Sequence, residues 1–178
     1  MKVQKDITAR KVGAGMTLLA WISVLAVLTL LINNWLDDRN HPNREVTGRT
    51  LEDGAREIRL QQNRYGHYVA EGSINGMAVR YLLDTGATEV AIPAHMAEML
   101  GLSLGLPRQM QTANGVITTY STRLRTIQLG PVELTNVRAQ INPNMYDDEI
   151  LLGMTFLRHL ELIQRDGRLT LRQQVTRE

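Results

Sequence analysis

The chain has 178 residues, no cysteine and a formal net charge of +2. That length accommodates one domain of about 100–140 residues plus a further segment, and the lack of cysteine excludes disulfides and thiolate metal sites. The charge is uneven: residues 1–36 carry Lys2, Lys5, Arg10 and Lys11 against Asp6, while the rest carries 16 basic and 17 acidic side chains. The bulk is thus near neutral, and the basic isoelectric point is no argument for a nucleic-acid partner.

Residues 1–11 read as a short amino terminus. No charge occurs from Val12 to Leu36, and Met16 to Ile32 is apolar except for Thr17, Ser23 and Thr29. Such a stretch, 12–36, suffices to cross a hydrocarbon core of about 30 Å as one helix. Trp35 stands where an interfacial aromatic is expected, basic residues precede the segment and Asp37-Asp38 come after it. The positive-inside rule then puts the amino terminus in the cytoplasm and the remainder outside. The expected location is the inner (cytoplasmic) membrane, single-pass, with an extracytoplasmic domain, periplasmic in a Gram-negative cell. A cleaved secretory signal is the alternative. It would have a shorter apolar region and a small-x-small site, whereas this apolar run ends in Asn33-Asn34-Trp35-Leu36. Both readings export the rest of the chain.

Residues 37–57 are polar, contain Pro42, Gly48 and Gly54, and lack a sustained apolar period. They read as a tether, with a weak helical signal around Leu51–Ile58. From Ile58 to the end, 58–178, short strands alternate with turn signals. Ile58–Gln62 and His67–Ile74 flank Asn63-Arg64-Tyr65-Gly66. Asn75-Gly76 is a strong two-residue hairpin turn, and Met77–Leu83 is the next strand. Pro93–Leu100 reads as a short helix with Gly101 past its end. Gln109–Ala113 and Val116–Tyr120 flank Asn114-Gly115. Arg123–Leu129, Val132–Leu134 and Val137–Ile141 continue the strands, with Gly130-Pro131 as a break. Ile150–Leu152 is a short apolar strand, Met154–Leu160 has helical spacing, and Glu161–Gln164 and Arg168–Arg172 flank Asp166-Gly167. The prediction is an all-β domain with one or two short helices and a barrel-like or sandwich-like core.

The strand Met77–Leu83 delivers Asp84-Thr85-Gly86-Ala87. A carboxylate at the end of a buried strand is costly unless paired or hydrogen-bonded, and a charge kept there is a functional-site candidate. By itself Asp-Thr-Gly is also good turn chemistry. Elsewhere the bland readings prevail. Asp147-Asp148-Glu149 reads as a solvated acidic loop without calcium-loop spacing. His41, His67, His95 and His159 have no metal-ligand spacing. Gly13-Ala14-Gly15 has no strand before it and is no phosphate cradle. No metal and no cofactor is expected.

Leu83-Asp84-Thr85-Gly86-Ala87-Thr88, Thr112-Ala113-Asn114-Gly115 and Leu151-Leu152-Gly153-Met154-Thr155-Phe156-Leu157, in that order, resemble the signatures of the retropepsin-like aspartic proteases, and within them the bacterial membrane-anchored branch. The resemblance covers roughly Ile58 to Arg172. It implies a retropepsin-like acid-protease barrel behind a single transmembrane helix, and a peptide-cleaving activity. In that chemistry two carboxylates about 3 Å apart share one proton and activate a water between them. The ionised member takes a proton from the water and the protonated member polarises the substrate carbonyl. The chain has one such tetrad, so the resemblance implies a homodimer that pairs two copies of Asp84 on its axis. It further implies that Thr85, Gly86 and Ala87 support the site, that Ala113, Asn114 and Gly115 form a flap, and that Ile92, Leu151 and Gly153 line the substrate pocket. Thr88 and Met154 stand where retroviral members usually carry an acidic residue and an arginine, so the ion pair those residues form is absent. The competing readings are a non-catalytic peptide-binding module of the same fold and a structural anchor.

Overall fold

The structure is a computed structural model that describes residues 3–112 and 115–174. The chain divides into two compact units at Asn40/His41.

The first unit is one helix, α1 (Val3–Asn40). Apolar residues occupy all its faces, and Leu19, Trp21, Ile22, Val24, Leu25, Val27 and Leu28 are exposed. A helix apolar all round needs an apolar surround. Ser23 and Thr29 donate their hydroxyl protons to the carbonyls of Leu19 and Leu25, at 2.9 and 2.8 Å, so these interruptions leave no donor unpaired. Leu19–Asp37 has a mean hydropathy of 1.9 and is long and apolar enough to cross a membrane. The helix outruns the expected segment 12–36 at both ends.

The second unit consists of β1 (Gly48–Thr50), β2 (Arg56–Gln61), β3 (Val69–Ile74), β4 (Met77–Leu83), β5 (Val90–Pro93), α2 (Ala94–Met99), β6 (Pro107–Thr112), β7 (Gly115–Leu129), β8 (Val132–Asn142), β9 (Glu149–Leu152), α3 (Met154–Leu157), β10 (Glu161–Arg165) and β11 (Arg168–Gln173). The order β3-β4-β9-β5-β8-β7-β6 is closed by a β3–β7 pairing, so six strands form a barrel and β6 projects from β7 as an arm. A second, antiparallel sheet runs β1-β2-β11-β10. Inward residues of the barrel and of β2 and β11 make one core, including Ile58, Leu60, Ile74, Tyr81, Ile92, Leu124, Ile141, Leu152 and Phe156. This is the expected all-β barrel with short helices.

Local chemistry explains most of the joints. Asn75-Gly76 and Asp166-Gly167 have positive φ at both positions, the geometry of the two-residue turn that matches strand twist. Pro93 caps α2 at φ −56°, and Gly101 lies just past it at φ +61°. The expected strands Val116–Tyr120 and Arg123–Leu129 merge into β7, and those on either side of Thr135-Asn136 merge into β8. Polar Ser121 and Thr122 keep the ladder through Gln140 and Ala139, because backbone pairing needs no apolar side chain.

The expected tether, 37–57, is a folded part of the domain from His41 onward. Asn43 is buried and its side chain does the work of a strand edge. Its Nδ2 donates to the carbonyls of Gln61 and Val69 at 2.9 and 2.7 Å, and its Oδ1 accepts the Gln61 N–H at 2.7 Å. The weak helical signal at Leu51–Ile58 is a turn closed by Leu51 N–H to the Ala55 carbonyl, with Gly54 at φ +82°, running into β2.

Candidate active site

The site forms where β4 ends. Tyr81 anchors that strand: its ring is buried and its hydroxyl donates to the Ser73 carbonyl at 2.7 Å. Gly72 makes this possible, since a Cβ there would sit 2.4 Å from the ring. Burial pushes the Tyr81 phenol far up, so it stays neutral. β9 lies parallel to β4, with Leu83 opposite Leu152, and also pairs with β5. The chain between β4 and β5, residues 84–89, must therefore cross over the end of β9.

Gly153 is the residue it crosses. A Cβ on Gly153 would stand 2.3 Å from the Glu89 carbonyl oxygen and 2.6 Å from that of Ala87. Only glycine fits beneath a backbone that close. Four bonds fix the crossing. Asp84 N–H donates to the Leu152 carbonyl at 3.3 Å, Met154 N–H to the Ala87 carbonyl at 2.8 Å, and Ala87 N–H to the Asp84 carbonyl at 3.2 Å. The Val90 N–H donates to Thr155 Oγ1 at 3.0 Å, with Thr155 buried.

On this frame the Asp84 side chain is half-buried, and its Oδ1 accepts the Gly86 N–H at 2.8 Å. A Cβ on Gly86 would press to 3.1 Å of that same oxygen. Thr85 and Gly86 are exposed and Ala87 is half-buried. Among the described residues no cation and no second carboxylate is bonded to Asp84. The arrangement can present a carboxylate to a second acid or to a water, held by a rigid backbone.

The structure sorts the other expected residues. Leu151 is half-buried on β9, beside the crossing. Ile92 is wholly buried in the core, so it supports β5 rather than walling a groove. Gly153 lies beneath the 84–89 crossing, and its lack of a side chain serves that crossing. Gly115 opens β7 at φ +112° and pairs with Thr112. Ala113 and Asn114 lie outside the described residues. Two features carried no assigned role in the sequence. Thr155 stands inside the Leu151–Leu157 motif, where only its neighbours draw attention. Glu89 at the end of the loop faces Arg108 on β6, 3.9 Å away, a link between residues too far apart in sequence to suggest each other.

Residues 70–159 match the family described as "gag-polyprotein putative aspartyl protease". The chain belongs to that family. An uncharacterized protein encoded in the cobV 5' region of Sinorhizobium sp is 33% identical over 118 residues, 65% of this chain and 51% of that protein. An uncharacterized protein of Rickettsia prowazekii (strain Madrid E) is 28% identical over 104 residues, 57% of this chain and 44% of its own length. The chain spans about half the length of these curated relatives. Among solved structures it is similar to the crystal structure of a retropepsin-like aspartic protease from Rickettsia conorii, with a TM-score of 0.60 and 24% identity, covering 72% of this chain and 96% of that one. That likeness speaks for the fold: the family's barrel is of the retropepsin-like type.

Proposed function

We propose that this chain is a membrane-anchored aspartic endopeptidase whose site assembles when two copies bring their Asp84 side chains together. The observation that carries this reading is the state of Asp84. In a family of aspartyl proteases it stands at a strand end, half-buried, with one neutral N–H donor and, among the described residues, no cation to neutralise it. Two such carboxylates facing each other share a proton, and the pair then titrates as a unit. The ionised partner activates a water and the protonated one holds the scissile carbonyl. Thr85 and Gly86, exposed beside it, border the second copy and the substrate.

Two further features support the reading. The β6–β7 arm stands outside the barrel and exposes Val116, with Leu106 exposed just before β6, apolar surface suited to cover an extended peptide. β10 is the edge of its sheet, and among the described residues no strand pairs with its free side. Antiparallel self-pairing about Ile163, which is 46% exposed, sets Glu161 of one copy opposite Arg165 of the other. Opposite charges at such positions favour the pairing, and the contact is isologous. By this reading residues 12–36 anchor the chain in the inner membrane with the amino terminus in the cytoplasm. The protease domain then works outside, on protein substrates near that membrane, as in the bacterial anchored branch. Anchoring two copies in one bilayer raises their effective concentration.

The test is cleavage of a peptide library by the detergent-solubilised full chain, wild type against Asp84→Asn. Cleavage by the wild type alone is expected. Retained cleavage in the variant would falsify the mechanism, and peptide binding without cleavage in both would make the domain a binding module.

A further inference from the structure

A cavity of about 510 Å³ opens beside the 84–89 loop and the β6–β7 arm, lined among others by Glu89, Arg108, Ser121, Arg123, Arg125 and Arg138. Four arginines and one glutamate thus line one cavity. Arg123 on β7 and Arg138 on β8 are direct cross-strand partners, and like charges placed opposite each other in an antiparallel pair are destabilising. Arg123 Nη1 donates to the carbonyl and the Oδ1 of Asn136, at 3.3 and 2.9 Å. Those bonds fix the group without neutralising it. Among the described residues no carboxylate forms an ion pair with Arg123, Arg125 or Arg138. Elsewhere the same domain does supply them, as in Arg80–Glu71 and in the three arginines on Glu57. A second cavity, about 610 Å³, shares Arg123 and Arg138 and adds Arg158 and His159 beside Glu133. The uncompensated charge is therefore concentrated along one recessed stretch of the β7–β8 face.

We infer that this recess is a binding site for an acidic polypeptide segment, holding carboxylate side chains of the protein substrate away from the bond that is cut. Guanidinium forks match carboxylates in bidentate fashion. Arg123 and Arg125 stand on one face of β7, about 7 Å apart along the strand, the interval at which an extended peptide presents alternate side chains. The recess is concave, which suits a chain segment and not a flat bilayer. Its walls include Glu89, from the loop that begins at Asp84, and Arg108, from the arm. A peptide lying along the arm thus reaches it without leaving the domain.

The inference rests on the proteolytic reading for the word substrate, and its test is independent of cleavage. The full-length chain carrying Asp84→Asn, in detergent micelles, is titrated with a fluorescent peptide of alternating glutamates and with its glutamine counterpart. The acidic peptide is expected to bind at least about tenfold tighter, with a strong salt dependence. R123Q/R138Q weakens it about tenfold or more, R123K/R138K restores part of it, and R64Q/R168Q, which removes the same charge elsewhere, leaves it within about twofold. Equal binding of the two peptides overturns the inference, as does an equal loss in R64Q/R168Q. Displacement by inorganic phosphate at matching affinity makes the recess a phosphate site. Preferential capture on phosphatidylglycerol vesicles makes it a membrane contact. Either result overturns the peptide assignment. Cleavage of peptides by the wild type without any acidic preference removes this site and leaves the protease; acidic-peptide binding without cleavage removes the protease and leaves the site.

Discussion

Glu57 and Asp84 are carboxylates on different sheets of one domain, and the molecule treats them in opposite ways. Glu57 is 4% exposed. Arg49 donates to its Oε1 through Nε and Nη2 at 3.0 and 2.8 Å, Arg59 Nε at 3.1 Å, and Arg172 Nη2 reaches its Oε2 at 3.2 Å. Burial pushes this carboxyl up, yet the hydrogen bonds from Arg49 and Arg172 and the charges of Arg49 and Arg59 outweigh it and hold the group below the ordinary glutamate range. Among the described residues Asp84 has one backbone donor and no arginine. A carboxylate saturated with cations is a strut that ties β1, β2 and β11 together. Among the described residues no cation ties the Asp84 carboxylate to another strand. Two acids of similar intrinsic chemistry thus have opposite surroundings, one among three arginines and one with a single backbone donor.

The largest test of that contrast exchanges the two losses. Asp84→Asn is expected to lower cleavage by about 10³-fold or more while leaving the melting temperature nearly unchanged, since it exchanges one carboxylate oxygen for an amide nitrogen of similar size. Glu57→Ala is expected to do the reverse. It strands three guanidinium groups around a void and costs about 2–3 kcal/mol, a drop of several degrees in melting temperature. Cleavage by the fraction still folded stays near the wild-type level. Thermal melts and initial rates on both variants decide it, and a stability loss at Asp84 equal to that at Glu57 would erase the distinction.

Next in size is Gly153→Val. The side chain enters the space of the Ala87 and Glu89 carbonyls, so the crossing must lift and Asp84 loses its frame. A loss of about 2–4 kcal/mol is expected, with cleavage falling more than the folded fraction does. A mere stability loss, with activity per folded molecule intact, would mean that the crossing does not position the acid.

Much of the barrel was legible because its signals are local. Asn75-Gly76 and Asp166-Gly167 announce their turns by residue type, and the alternation from Met77 to Leu83 leads straight to Asp84. What stayed hidden depends on partners far along the chain. Asn43 reads as a linker residue, and only the carbonyls of Gln61 and Val69 turn it into a strand edge. Gly153 reads as part of a pocket, because the carbonyls that exclude its side chain come from residues 87 and 89. Ile92 reads as a groove wall, though its side chain is sealed in the core. The Glu57 cluster joins positions 49, 57, 59 and 172, a spacing without a pattern. The place of Asp84 at the end of a strand was therefore readable, and its scaffolding was not.

A smaller effect concerns the β10 edge. Glu161→Arg alone and Arg165→Glu alone each place like charges opposite one another in the proposed dimer and are expected to weaken self-association about tenfold. The double variant restores opposite charges and should recover it. Sedimentation of the full chain in detergent reads this directly. Independence of the dimer from all three variants would move its interface away from β10.

The smallest expected effect is a pH dependence confined to Glu57. Its carboxyl titrates lower in the folded domain than in the unfolded chain, so the unfolded state binds the proton first. The stabilisation it gives is complete above the ordinary glutamate range, and it is lost as pH falls through that range toward the folded value. Melting curves for the wild type and Glu57→Gln, followed by circular dichroism from about pH 7 to about pH 3, should be separated at neutral pH and converge in acid. Parallel curves would show that the three arginines do not hold the carboxylate as described. Convergence has a consequence for catalysis. The strut on β2 is weakened in acid. The acid limb of the cleavage profile should then track loss of the β1–β2–β11 sheet, which carries the β10 edge, and Glu57→Gln should flatten that limb without moving the neutral one.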